Sequence, residues 1–221
     1  MAETIERQKE PKRRSQIIVI VAIILGLSLG LLLGLLTIRL IRGELSFTSD
    51  KFRGVELPTP QPVADFTLTA DSGQEISLSD FRGQITLLYF GYTYCPDICP
   101  GTLSELARAM DDLDPKDRDK VQVIMVTVDP ERDTPQLLTD YLDHFDTSFL
   151  GLTGSEAEIA TAAEKVGIYI ERQPGTAESG YLVDHTASIS ALDRDGNIKV
   201  IFKFGTPAED IAADLKRLIA D

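Results

Sequence analysis

The 221-residue sequence has no tryptophan, three methionines, two histidines and two cysteines. Two cysteines are too few for a disulfide scaffold or for a structural zinc site built from thiolates alone, so their placement matters more than their number. Basic side chains are outnumbered as well, 22 Lys and Arg against 35 Asp and Glu, for a formal net charge of −13. A surface of that sign repels phosphate backbones and argues against nucleic-acid binding. Apolar residues are not scarce. At 43% of the chain they suffice for the core of one folded domain with appendages.

One stretch lacks charge altogether. Residues 15–38 are 24 consecutive positions without Asp, Glu, Lys or Arg, and at about 1.5 Å per residue such a helix spans a hydrocarbon core of about 30 Å. A signal peptide has an apolar region of about 7–15 residues followed by a small-residue cleavage site; here Arg39, Leu40, Ile41 and Arg42 follow, which favours an uncleaved anchor. Arg7, Lys9, Lys12, Arg13 and Arg14 precede the span, and only Arg39 and Arg42 flank its other end. That asymmetry sets the N-terminus in the cytoplasm. The expected order is a cytoplasmic tail over 1–16, a single transmembrane anchor over 17–38, a linker over 39–62 and an extracytoplasmic domain over 63–221. Gly26, Gly30 and Gly34 share a helix face that permits close packing with a second helix, although glycine is common in membrane helices. Residues 1–42 carry seven basic and three acidic side chains, so the remainder carries a net −17 against −13 for the whole chain.

Pro58, Pro60 and Pro62 mark the linker as an extended, semi-rigid spacer. Beyond it, residues 66–69 and 75–78 read as a strand pair around Asp71-Ser72-Gly73. The apolar runs 85–90 and 121–128 suit strands buried on both faces, and between them Leu103, Leu106, Ala107, Met110 and Leu113 form the stripe of a helix over about 96–113. Thr134-Pro135 and Thr206-Pro207 each place a hydroxyl cap before a proline at the first helical position, and Ser155 with Glu158 and Thr206 with Glu209 fit capping boxes. A short strand is expected near 149–152, and residues 187–192 and 199–204 flank a hairpin turn over 193–197. This order predicts an α/β domain, a mixed central sheet flanked by helices in a thioredoxin-like arrangement.

The buried run 85–90 leads into Gly91-Tyr92-Thr93-Tyr94-Cys95-Pro96-Asp97-Ile98-Cys99-Pro100. Placed on a first helical turn, Cys95 and Cys99 face the same side at a spacing a disulfide tolerates, and the helix start favours thiolate over thiol. Such a pair suits reversible oxidation or a soft metal ion; as a structural staple it would close too short a loop to remove much chain entropy. His185 stands in Val183-Asp184-His185-Thr186 at the entrance of a strand, where a turn could aim it at the same sheet end, though alone it fits a structural role at least as well. His144 reads as a solvated helix-face residue.

The segments Phe90-Gly91-Tyr92-Thr93-Tyr94-Cys95-Pro96-Asp97-Ile98-Cys99-Pro100, Val128-Asp129-Pro130-Glu131-Arg132-Asp133-Thr134-Pro135, Gly151-Leu152-Thr153-Gly154 and Val183-Asp184-His185-Thr186 resemble the successive signatures of the Sco/SenC family. The likeness covers about residues 54–221. It implies a membrane-tethered, thioredoxin-like copper chaperone that helps build the binuclear copper site of cytochrome c oxidase, with Cys95, Cys99 and His185 as ligands of one Cu(I) or Cu(II) ion. Two thiolates and an imidazole do suit copper(I) and can hold copper(II). The partners so implied are the copper-receiving oxidase subunit, a copper donor and a thiol reductant. Asp184 could orient the imidazole or cap a turn. Asp129 and Asp133 could border the site, but are read first as fixing the helix start that follows them.

Three other readings compete. A thiol-disulfide oxidoreductase acting on the apo-oxidase subunit would use the same Cys95–Cys99 pair, so a turnover enzyme is not excluded. A peroxiredoxin-like peroxidase would need a hydroxyl residue three positions before its cysteine and a proline seven before; Tyr92 and Leu88 stand there instead. A closed structural zinc site lacks a fourth ligand unless a carboxylate supplies it.

Overall fold

The computed structural model describes residues 10–41, 51–176 and 180–221; residues 1–9 of the expected tail and 42–50 of the expected linker lie outside them. Two units emerge, residues 1–50 and 51–221.

In the first unit, helix α1 (Glu10–Ile41) contains a 23-residue stretch, Gln16–Ile38, of mean hydropathy 3.0. Every side chain of that stretch is exposed. A helix apolar on all sides and about 35 Å long has the length and composition to cross a membrane.

The second unit is built on one sheet of eight strands. These are β1 (Val55–Pro62), β2 (Thr67–Ala70), β3 (Glu75–Ser77), β4 (Ile85–Gly91), β5 (Val121–Thr127), β6 (Leu150–Thr153), β9 (Ser188–Leu192) and β10 (Asn197–Lys203), in the spatial order β1-β10-β9-β4-β5-β6-β2-β3. Strands β7 (Ile170–Thr176) and β8 (Gly180–His185) form a separate antiparallel hairpin. β5 runs parallel to both β4 and β6, while β9 runs antiparallel to β4. All seven residues of β4 are buried, as the apolar run requires. The helices are α2 (Ile98–Asp111), α3 (Pro115–Arg118), α4 (Pro135–Leu142), α5 (Glu156–Val166) and α6 (Ala208–Ala220).

Three local expectations change. Val55–Pro62, expected as spacer, is a strand paired with β10. Its prolines are tolerated because β1 is an edge strand, with a register shift between Glu56 and Gln61. The chain is fastened there by Asp214 on α6, whose buried carboxylate accepts from the amides of Arg53 and Gly54 at 2.8–2.9 Å. Thr206 does not cap α6: its hydroxyl donates to the Lys203 carbonyl, and the Glu105 carboxylate of α2 accepts the Ala208 amide instead. His144 lies just beyond the end of α4 and is exposed. The caps at Thr134 and Ser155, the latter a full capping box with Glu158, form as expected.

Candidate metal centre

The cysteine segment leaves the end of β4 and enters α2. Cys95 is not on the helix, contrary to the expectation of a shared first turn: α2 begins at Ile98, with Asp97 at its cap position. Pro96 explains this, since the residue before a proline avoids the helical region. Cys95 nonetheless returns to the helix start, where its Sγ accepts the Cys99 amide at 3.4 Å. Asp97 makes no side-chain cap, so the sulfur occupies that role.

The two thiols differ sharply. Cys99 is fully buried and Cys95 half-buried, and both are free in this structure. The Cys99 side chain, with amides at the head of α2, draws the Cys95 pKa down to about 5. Cys99 moves the other way, pushed up by Cys95 beside it and by burial.

His185 is the last residue of β8, so the separate hairpin carries it to the cysteines. Its Nε2 is 4.0 Å from Cys99 Sγ, and its Nδ1 is 3.2 Å from the Val183 carbonyl. A carbonyl only accepts, so Nδ1 is the donor there and Nε2 is the ring nitrogen turned toward the sulfur. The rings of Tyr89 and Tyr92 meet the imidazole edge-on, at 6.3 and 5.9 Å between centroids. Asp184 takes no part: it is exposed and accepts from Gln173. The orienting acceptor is the main chain of Val183.

Asp129 and Asp133, both fully buried on the loop after β5, brace the cysteine segment and the histidine hairpin with their side chains, and neither carboxylate caps the start of α4. Asp133 accepts the amide and hydroxyl of Thr93, two residues before Cys95, at 3.0 and 2.6 Å, and the Thr127 hydroxyl at 2.6 Å. Burial raises its pKa against these bonds. Asp129 pairs with Arg132 and accepts the Tyr181 hydroxyl of β8 at 2.7 Å. The Arg132 guanidinium also stacks on the rings of Tyr181, at 3.8 Å, and Tyr94, at 4.9 Å. One loop thus fastens the cysteine segment and the histidine hairpin together. Sequence reasoning missed Thr93, Arg132 and Tyr181 as its partners, and Tyr89 as a neighbour of the thiols. Only Tyr89 left a signal: a phenol in a strand buried on both faces needs a hydrogen-bond partner.

An open cleft of about 340 Å³ exposes Cys95 and His185 between Tyr92, Ile98 and Leu182. Among the described residues no three ligand-type side chains already meet at metal-binding spacing; Cys99 and His185 face each other, with Cys95 alongside at the amide of Cys99. Two donors each about 2.0–2.3 Å from a shared ion sit roughly 4 Å apart, so the Cys99–His185 separation fits one.

A dithiol where a core strand meets a helix, in a mixed sheet flanked by helices, defines a thioredoxin-like domain, here with an imidazole beside the sulfurs. The SCO1/SenC family model matches residues 56–220, and the chain belongs to that family. It is 38% identical over 157 residues to the mitochondrial SCO2 homologue of Mus musculus, a match covering 71% of this chain and 62% of that one. The chain therefore spans about three fifths of the length of such curated relatives. Among solved structures, ScoI of Bradyrhizobium japonicum with copper bound superposes with a TM-score of 0.65 at 40% identity, covering 71% of this chain and 99% of that one. BsSco, described as having a disulfide switch and as a member of a family of cytochrome c oxidase assembly proteins, gives 0.59 at 26% identity over 75% and 98% of the two chains.

Proposed function

We propose that this protein is a membrane-anchored copper chaperone that binds one copper ion through Cys95, Cys99 and His185 and passes it to the binuclear copper site of a cytochrome c oxidase subunit. The observation that carries this reading is the orientation of His185, whose Nε2 faces the buried sulfur of Cys99 at 4.0 Å. The donor set is right for the cargo: soft thiolates select copper(I), and imidazole accommodates either oxidation state. Cys95, in the loop ahead of α2 with its sulfur at the Cys99 amide, lines the same cleft as His185 and is the third donor. Three ligands at the edge of an open cleft leave a position through which a partner's ligands can enter and take the ion. The copper-bound and assembly-related relatives support the same reading. The N-terminal tail would lie in the cytoplasm, with the copper domain on the opposite side of the membrane.

The test is copper(I) binding by the reduced chain and its Cys95→Ser and Cys99→Ser variants. Each substitution is expected to abolish tight binding and leave the fold intact; stoichiometric binding retained by both single variants would refute the site. A second reading, a thiol-disulfide oxidoreductase acting on the recipient's cysteines, is favoured by one observation. The half-buried Cys95 is the more acidic thiol and Cys99 is sequestered behind it, the division between an attacking and a resolving thiol. A His185→Ala variant that binds no copper yet fully supports oxidase assembly would favour this second reading over the first.

A further inference from the structure

Tyr89 of β4 is fully buried, and its hydroxyl lies 3.2 Å from Cys99 Sγ. The phenol is the donor, because burial holds its proton in place far above its ordinary ionisation range. The bond is made to the sulfur that also faces His185. A hydrogen bond to sulfur is strongest when the sulfur carries the negative charge of a copper-held thiolate, and in the metal-free chain the 3.2 Å contact is made to Cys99 Sγ in its reduced, unbridged form. Hydrogen bonding at a copper-bound thiolate also sets how much electron density reaches the metal, and with it the reduction potential.

We propose that the Tyr89 hydroxyl, by donating to Cys99 Sγ, biases the centre toward its reduced forms, dithiol over disulfide and copper(I) over copper(II). The copper half rests on the copper-binding reading above, and the dithiol half stands without it. In the dithiol couple the Cys95–Cys99 bond breaks as a dithiol reductant gives up two electrons and two protons. The reductant closes to its own disulfide, and the protons pass to the released sulfurs or to solvent. In the copper couple one electron from a redox mediator converts copper(II) to copper(I) with no bond to Tyr89 made or broken. Tyr89 is a tuning residue here, acting through Cys99.

The experiment uses the full chain in detergent and two isosteric variants, Tyr89→Phe and Tyr141→Phe. Tyr141 is a matched control: its buried hydroxyl has no hydrogen-bond partner among the described residues, yet its ring lies within electrostatic range of both thiols. Exchange equilibrium against dithiothreitol, without metal, should shift about tenfold toward the protein disulfide in Tyr89→Phe, about 30 mV for a two-electron couple, and remain unchanged in Tyr141→Phe. The copper(II)/copper(I) midpoint should fall in Tyr89→Phe alone, by about 59 mV for each tenfold change. An unchanged exchange constant in Tyr89→Phe, or an equal shift in both variants, would overturn the proposal. A wild-type chain that binds no copper, with the exchange constant still shifted in Tyr89→Phe, would refute the copper reading while upholding the dithiol half.

Discussion

Asp133 holds Thr93 by two bonds, its carboxylate accepting both the amide and the hydroxyl at 3.0 and 2.6 Å, and Thr93 stands two residues ahead of Cys95. The reach across 40 positions ties the end of β5 to the loop that delivers a thiol. A third donor, the Thr127 hydroxyl, completes the carboxylate's shell at 2.6 Å.

Asp133→Ala strands all three donors in a buried site. The expected loss is about 3 kcal/mol in chemical unfolding, within the range for unsatisfied buried groups, together with faster alkylation of Cys95 as its loop loosens. An unfolding midpoint within error of wild type would contradict the bracing role.

Tyr181→Phe removes the bond from β8 to Asp129 while keeping the ring under Arg132. Copper(I) affinity should weaken about tenfold through the less constrained His185, with the dithiol exchange constant unmoved. The predicted loss of one charged-acceptor bond is about 1.5 kcal/mol. Equal weakening of both properties would mean that the hairpin does not act through the histidine alone.

Cys95 alkylation in the metal-free, reduced chain should follow a titration centred near pH 5. The thiolate is the reactive form, so the rate rises as pH climbs through that value and levels off well below the ordinary thiol range. Cys99 should label only after unfolding, as expected of a buried thiol whose pKa is raised. A single rate profile centred above pH 8, read by mass spectrometry of the labelled peptides, would contradict the assigned asymmetry.

Gly91→Ala places a Cβ 2.7 Å from the Tyr89 ring and 3.1 Å from Cys99 Sγ. Neither neighbour has room to retreat, since both are fully buried. Overpacking of this kind costs about 1–3 kcal/mol, and here it should also disturb the O–H to sulfur bond. The expected result is a lower melting temperature with a shifted dithiol exchange constant; an unaltered constant would separate the packing of Gly91 from the chemistry of the thiols.

What was legible in the sequence was local. The runs that became β4 and β5, the caps at Thr134 and Ser155 and the turn at 193–197 all rest on residues within a few positions of one another. β1 was hidden because its three prolines argue for a spacer unless an edge position is known. The β7–β8 hairpin was hidden because β7 is largely polar and both strands are mostly solvent-facing, without the alternation that marks a core strand. Thr206 failed as a cap for a non-local reason, the approach of Glu105 from α2. Cys95, Cys99 and His185 were legible as candidates, but the agents that aim them were not. Asp129 and Asp133 act on Tyr181 and Thr93 at 52 and 40 positions' remove, and the Val183 carbonyl is a main-chain group that no motif names.

The central claim is a copper site made by two sulfurs and the imidazole of His185. Its most direct test is an anaerobic titration of the reduced chain with copper(I) against a competing chelator, beside His185→Ala. The account predicts one tight equivalent for the wild type and markedly weaker binding once the histidine is gone. A reduced chain that takes up no tight copper, or a variant that binds as tightly as the wild type, would contradict it.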